Sequence, residues 1–267
     1  MSDPEAYEVF AIRYGRHQKR TRGENFIVTD IHDSPMPLDY YVWAVVNDRR
    51  AIVVDTGFDF EEAKRRNREI VRLPREGLAM IGVDSAKVAD VVVTHLHYDH
   101  AGTLDDFPAA TFHLQDLEMA YATGRHMAHT PFGYAYSPRH VGRMVEHVFK
   151  GRVAFHDGNG EVAPGVTVHH VGGHTRGMQC VRVLTRRGWV VLASDASHFY
   201  ENMEGTAPFP IVYSVADMVE GYAKMRGLAT SPAHIIPGHD PLVMDRYPAP
   251  KADVAGVVVR LDVAPRA

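Results

Sequence analysis

Residues 94–100 read Thr-His-Leu-His-Tyr-Asp-His and follow directly on an apolar run of three valines, 91–93. A strand that ends in a loop is a good place to present ligands, because the strand fixes the base of the loop and aims its side chains. Two imidazoles that lie two residues apart on an extended segment point to the same side and can chelate one ion. Four such side chains from one short stretch cannot close a single tetrahedral site without strain, which favours two metal ions.

Two ions need further ligands, and three more polar residues follow apolar, strand-like runs in the same way. His174 follows the run 166–171, and Asp195 and His239 each follow a later apolar run. Histidine and carboxylate side chains at strand ends are suitable metal ligands, so these residues complete a candidate set of seven. The chain has 17 histidines, and those outside this pattern, such as His113, are interpreted as surface or structural residues.

The composition is that of an ordinary globular protein. Of 267 residues, 45% are hydrophobic and 23% charged, with a net charge of −4, so no basic surface for nucleic acid is expected. No apolar run is long enough to span a bilayer, and residues 1–10 lack the pattern of a signal peptide. The single cysteine, Cys180, cannot form an internal disulfide and is interpreted as a small buried hydrophobe. A cytoplasmic location is therefore predicted.

Strand-like and helical segments alternate along both halves of the chain, which predicts sheet packed on sheet with helices outside. No linker or repeat divides the chain, so residues 1–267 are expected to form a single domain, with 115–150 as a candidate cap over the substrate pocket. Strands are predicted over 7–13, 40–46, 51–54, 90–93, 111–114, 166–171, 179–184, 189–193, 234–236 and 256–261. Helices are predicted over 60–72, 116–121, 139–149 and 216–225.

The combined motif resembles the metallo-β-lactamase superfamily: H-x-H-x-D-H, then G-H, S-D and a closing G-H, in that order, between Asp55 and His239. The resemblance implies an αββα sandwich, in which two mixed sheets pack face to face and a metal pair lies at their edges. It implies that Asp55 lies behind the ligands. It also implies the ligand sets: His95, His97 and His174 for one ion, Asp99, His100 and His239 for the other, and Asp195 bridging both.

Metal-assisted hydrolysis is the chemistry that this site predicts. Two divalent ions are expected. The family's pattern implies zinc, and manganese, iron or cobalt would also suit these ligands. Such ions, about 3.5–4 Å apart, can bridge a water and bring its pKa near neutrality. The bridging hydroxide would attack a carbonyl or phosphoryl centre, and Asp99 would carry the proton to the leaving atom.

Within the superfamily, the segment 194–197 and the Pro-Gly-His-Asp ending at Asp240 are most similar to the N-acyl homoserine lactone lactonases, which open a cyclic ester. Residues 119–148 contain side chains that could wall an apolar channel for an acyl chain, namely Met127, Phe132, Tyr134, Tyr136 and Met144. The alternative is a helical cap that packs its own small core. The expected partner is a small-molecule substrate, with neither nucleic acid nor a membrane, and a homodimer is left open.

Two other functions are retained as alternatives. Thioesterases of the glyoxalase II type share the same seven ligands, but they normally carry a helical C-terminal region, and only residues 240–267 follow the last ligand here. A non-catalytic member of the superfamily that binds a ligand is the other alternative. The intact ligand set argues against it, since a sensor need not retain all seven residues.

One position departs from the lactonases that the sequence resembles. They commonly carry a tyrosine three residues after the bridging aspartate, whose hydroxyl hydrogen-bonds the substrate carbonyl. Here that position is His198, with Tyr200 two residues further on. A neutral imidazole N–H is expected to take the same part, with Tyr200 as the alternative donor.

Overall fold

The computed structural model describes residues 6–28 and 33–266. Residues 1–5 lie outside the described residues, and they belong to the N-terminal segment that lacks a signal-peptide pattern. Within them, the larger sheet has eight strands: β1 (Glu8–His17), β2 (Leu38–Val46), β3 (Ala51–Val54), β4 (Glu69–Ile70), β5 (Asp90–Val92), β6 (Thr111–Gln115), β7 (Val153–His156) and β13 (Val258–Arg260). The smaller has five: β8 (Asn159–Ala163), β9 (Val166–His170), β10 (Gln179–Thr185), β11 (Gly188–Ser194) and β12 (Ile235–Pro237).

Both sheets are mixed. The larger runs in the order β13-β1-β2-β3-β5-β6-β7, with β4 paired to β1, and the smaller runs β12-β11-β10-β9-β8. In the larger sheet β13, β1, β2 and β3 are antiparallel neighbours, whereas β3, β5, β6 and β7 are parallel. In the smaller sheet β12 lies parallel to β11 and the other pairs are antiparallel.

The larger sheet is buried on both faces. In β2, Tyr41, Trp43 and Val45 belong to the core between the two sheets, whereas Tyr40 and Val42 belong to the core beneath the outer helices. Alternate side chains of a strand point to opposite faces, so a strand covered on both sides is apolar throughout. The predicted αββα sandwich is confirmed.

Helices cover the outer faces of the sandwich. Side chains from the helices that begin at Phe60, Pro74, Asp116 and Pro138 pack beneath the larger sheet, and Met218, Tyr222 and Met225 of the helix that begins at Val215 join the core of the smaller one. The described helices are α1 (Phe60–Arg66), α2 (Pro74–Met80), α3 (Asp116–Ala122), α4 (Thr130–Gly133), α5 (Pro138–Phe149), α6 (Tyr200–Glu204), α7 (Val215–Leu228) and α8 (Leu242–Arg246). No helix in the described ranges is long and apolar enough to cross a membrane.

The helix predicted over 60–72 is too long. It ends at Arg66, because Asn67 adopts the left-handed conformation, φ 54°, that commonly terminates helices. The sequence predicts that Phe60 and Ala63 share the buried face of this helix. Ala63 is buried, but Phe60 is 64% exposed, whereas Glu62 is buried and paired with two arginines.

Several short elements are not predicted by the sequence: α2, α4, α6, α8, β4, β7 and β8. Strands β7 and β8 are the edge strands of their sheets and bury few side chains, so their hydrophobic pattern is weak. The remaining predicted elements agree with the structure to within a few residues at their ends. Cys180 is fully buried in β10, as predicted.

Candidate metal centre

The loops that follow β5, β9, β11 and β12 meet at one edge of the sandwich. These loops carry the seven predicted ligands, and each of those side chains is buried. In the first group, the ligand atoms of four residues lie within 4.8 Å of one another: His95, His97, His174 and Asp195. The second group is equally compact and contains Asp99, His100 and His239.

Asp195 lies between the two groups. Its Oδ1 is 3.2 Å from His100 Nε2 and 2.9 Å from His239 Nε2. Its Oδ2 is 3.2 Å from His174 Nε2 and 3.8 Å from His95 Nε2. One carboxylate oxygen therefore faces each group, which is the placement expected of a bridging ligand.

Hydrogen bonds behind the imidazoles fix their orientation. An Nδ1–H that donates to an oxygen leaves the Nε2 lone pair free to face the centre. Three rings are held in this way: His174 by the Ile211 carbonyl (2.7 Å), His239 by the Asp39 carbonyl (2.8 Å) and His100 by the Asp55 carboxylate (2.7 Å).

Asp55 organises the base of the centre. Besides His100, its carboxylate accepts the backbone N–H of Thr94 at 2.7 Å and the Thr94 hydroxyl at 2.8 Å. Asp55 and Ser194 both end strands with a positive φ, 62° and 46°. Such conformations are rare for residues other than glycine and persist mainly at functional sites. Asp55 thus lies behind the ligands, where the resemblance places it.

Three members of the cluster take protonation states that suit a cation, whereas the Asp195 carboxylate raises the pKa of His100 and of His239 against the opposing effect of burial. Burial lowers the pKa of His95 and of His97 well below the usual range, so both rings are neutral. Burial alone would raise the pKa of Asp195, but His239 and other neighbouring imidazoles hold it well below its ordinary value. Neutral imidazole and ionised carboxylate are the forms that bind metals.

Among the seven candidate ligands, two buried nitrogens lack a hydrogen-bond partner within the described ranges, Nε2 of His95 and Nε2 of His100. Leaving a buried polar atom unpaired costs about 1–3 kcal/mol. Both atoms face the carboxylate of Asp195. Metal ligation accounts for them, and the residues therefore fit a pair of divalent cations.

Glu118 on α3 is a residue of the site that the sequence analysis misses. Its buried carboxylate accepts the backbone N–H of Leu96 at 2.9 Å, the hydroxyl of Tyr136 at 2.8 Å and the hydroxyl of Thr175 at 2.6 Å. These partners belong to the loop between His95 and His97, the segment after α4 and the loop after His174. Glu118 lies within the predicted helix 116–121 and not in a loop after a strand, so the pattern that marks the other residues is absent here.

His198 lies inside the cluster. Its Nε2 is 3.1 Å from Asp195 Oδ2, its ring stacks on Phe209 at 3.6 Å, and burial lowers its pKa to about 3. With Asp195 and His239 it forms a third group of close ligand atoms, so its geometry suits a hydrogen-bond donor or a metal ligand. Tyr200 lies in the core instead and does not line the cavity.

A cavity of about 90 Å³ opens onto the centre. Of the side chains predicted to wall an apolar channel, Tyr134 lines it, whereas Met144 is fully buried in the core and the hydroxyl of Tyr136 is bound to Glu118. The remaining two, Met127 and Phe132, pack against the core from half-buried positions. The sequence analysis does not anticipate three arginines that line the cavity: Arg20, Arg66 and Arg68.

Comparison with known proteins agrees with this geometry. The family model of the metallo-beta-lactamase superfamily matches residues 36–252. A probable metallo-hydrolase of Mycobacterium tuberculosis is 26% identical over 216 residues, which are 74% of this chain and 69% of that protein. An N-acyl homoserine lactonase of Rhizobium johnstonii is 31% identical over 175 residues, 62% of this chain and 64% of that enzyme.

The fold of this chain also matches the folds of solved structures. A quorum-quenching N-acyl homoserine lactone lactonase superposes with a TM-score of 0.73 at 21% identity, over 90% of this chain and 95% of that one. The predicted resemblance is confirmed, and the names of the relatives agree with the predicted class of metal-dependent hydrolase. The chain belongs to the metallo-beta-lactamase superfamily.

Proposed function

We propose that this protein is a hydrolase that uses two divalent metal ions to open the ring of a lactone, with zinc as the preferred metal. An N-acyl homoserine lactone or a related cyclic ester would be the substrate. The observation that carries the proposal is the carboxylate of Asp195, which presents one oxygen to each of two groups of ligand atoms. The lactonases among the relatives support the choice of a lactone.

The seven residues in the two groups would hold the ions. A bound pair would supply Lewis acidity and lower the pKa of water. His198 lines the cavity as a neutral ring, and its N–H would turn from the Asp195 carboxylate, 3.1 Å from its Nε2, to the carbonyl oxygen of a substrate. Such a donor stabilises the negative charge that develops on that oxygen during the reaction.

Asp99 would also transfer a proton during the reaction, besides holding a metal ion. Its Oδ2 is 3.8 Å from His100 Nε2 and 3.9 Å from His239 Nε2, and it lines the same cavity. The carboxylate would accept the proton of the attacking water and return it to the alkoxide that leaves the carbonyl carbon. The product is then a hydroxy acid. A cytoplasmic location, zinc as the native metal and a homodimer stay predictions.

The substrate class is tested with a panel of lactones, thioesters and β-lactams assayed on the metal-loaded protein. We expect lactones to be hydrolysed well, because the leaving alkoxide needs only the proton that Asp99 holds. A β-lactam also needs its nitrogen protonated or stabilised, and we expect it to react poorly. A clear preference for thioesters would favour the glyoxalase II alternative, and binding without turnover of any class would favour a non-catalytic protein.

A further inference from the structure

The arginines at the mouth of the metal cavity differ in their counter-charges. Arg66 has a counter-charge in Glu62, whose carboxylate lies 2.9 Å from its Nε and is shared with Arg65. Arg20 and Arg68, in contrast, have no carboxylate within 4 Å among the residues that the structure describes. Two guanidinium groups without a paired acid therefore line a cavity that also contains the candidate ligands.

Arg68 is held in place by neutral groups. Its Nη1 donates to the carbonyl of Arg66 at 2.6 Å and lies 3.3 Å from Nε2 of His17, and its Nε is 3.4 Å from the hydroxyl of Tyr98. Tyr98 stands between two candidate ligands in the chain, and its hydroxyl contacts that of Tyr40 at 3.0 Å. Arg68 and the candidate ligand Asp99 line the same cavity.

Arg20 approaches the centre from another side. Its guanidinium lies 4.8 Å from the ring centroid of Phe209, which in turn stacks on His198. Its hydrogen bonds go to the side-chain oxygen of Asn25 and to the carbonyl of Glu24. The carboxylate of Glu24 is directed to the backbone N–H of Thr21 instead, at 2.8 Å.

Size restricts what this cavity can enclose. Its volume of about 90 Å³ is well below the roughly 300–1,000 Å³ of pockets that enclose drug-sized ligands. Tyr134 is the one predicted channel residue that lines it. The site is therefore compact and positively charged at its mouth, which does not suit a long acyl chain.

We propose that the substrate is a compact lactone that carries a carboxylate, and that Arg68 and Arg20 bind this carboxylate while the ring reaches the metal centre. The inference rests on the proposed lactonase function. A guanidinium binds a carboxylate through paired, charge-assisted hydrogen bonds, which makes arginine well suited to this recognition. This carboxylate is present on the substrate before the reaction and differs from the carboxylate that hydrolysis of the ring ester creates.

The test compares a γ-butyrolactone bearing a ring carboxylate with its uncharged carboxamide, which has nearly the same shape. We expect the carboxylate to have a kcat/KM about ten- to a hundredfold higher, through KM, because charge-assisted hydrogen bonds are stronger than neutral ones. Arg68→Gln should remove most of this preference, Arg68→Lys should retain part of it, and Arg20→Gln should reduce it independently. Arg65→Gln is the control, because it removes a nearby arginine that pairs with Glu62 and does not line the cavity.

A binding measurement separates this inference from the function on which it rests. Calorimetry on the metal-loaded protein should show tighter binding of glutarate than of butyrate, with the difference lost in Arg68→Gln. If lactones are hydrolysed but carboxylate and carboxamide have equal KM in the wild type and in Arg68→Gln, the carboxylate site is wrong and the lactonase stands. If no lactone reacts, yet glutarate is preferred in an Arg68-dependent way, the lactonase proposal fails and the carboxylate site stands.

Discussion

Asp195→Asn is expected to lose both metal ions together and to lower kcat/KM by more than about a hundredfold, because even outer partners of metal ligands contribute about 10–100-fold to affinity or activity. The amide has no negative charge and a single oxygen, so it cannot face both groups as the carboxylate does. Elemental analysis and kinetics on the purified variant measure the two effects.

Asp262→Asn is the matched control for this substitution. Asp262 is as buried as Asp195 but pairs with Arg260 and takes no part in either group of ligand atoms. We expect it to retain both ions. His174→Ala should weaken one ion more than the other, because it removes a ligand from one group. Full metal content and activity in Asp195→Asn would rule out the bridging role.

His198→Phe is expected to retain both ions and to lower kcat by about a hundredfold or more, as the loss of an oxyanion donor does. The phenyl ring can keep the stacking on Phe209 but has no N–H for the substrate carbonyl. Parallel measurements of metal content and kcat are needed, because Nε2 of His198 also lies 3.1 Å from the carboxylate of Asp195.

Metal content and kcat together show whether His198 acts as a hydrogen-bond donor or as a metal ligand. A loss of metal in His198→Phe would make His198 a ligand instead of a donor. His198→Tyr should recover part of kcat, since a hydroxyl can replace the N–H. Tyr200→Phe should have little effect, because Tyr200 lies in the core away from the cavity. An unchanged kcat in His198→Phe would overturn the comparison with the lactonase tyrosine.

The positions that come together in the candidate centre could be predicted because each follows an apolar strand. The loop 94–100 follows β5, Asp195 directly follows β11 and His239 comes after β12. Strand β12 lies parallel to β11, so the ends of these two strands lie side by side. A pattern that is local in sequence therefore identified residues that the fold brings together.

Other parts of the site depend on contacts between distant segments. Glu118 reaches Thr175 across 57 positions of the chain, and no pattern around it indicates that its carboxylate is buried. Arg68 lines the cavity because the helix before it stops at Arg66, a boundary that the periodicity of 60–72 does not indicate. The edge strand β7 was not predicted, because it buries little apolar surface and its hydrophobic pattern is therefore weak.

The metal content of the folded, metal-loaded chain tests the central claim most directly. Purified protein would be loaded with zinc, freed of excess ion by gel filtration, checked for folding by circular dichroism and measured by elemental analysis. We expect about two ions per chain, as a two-metal hydrolytic centre requires. A folded chain with all seven residues intact that binds one ion or fewer would contradict it.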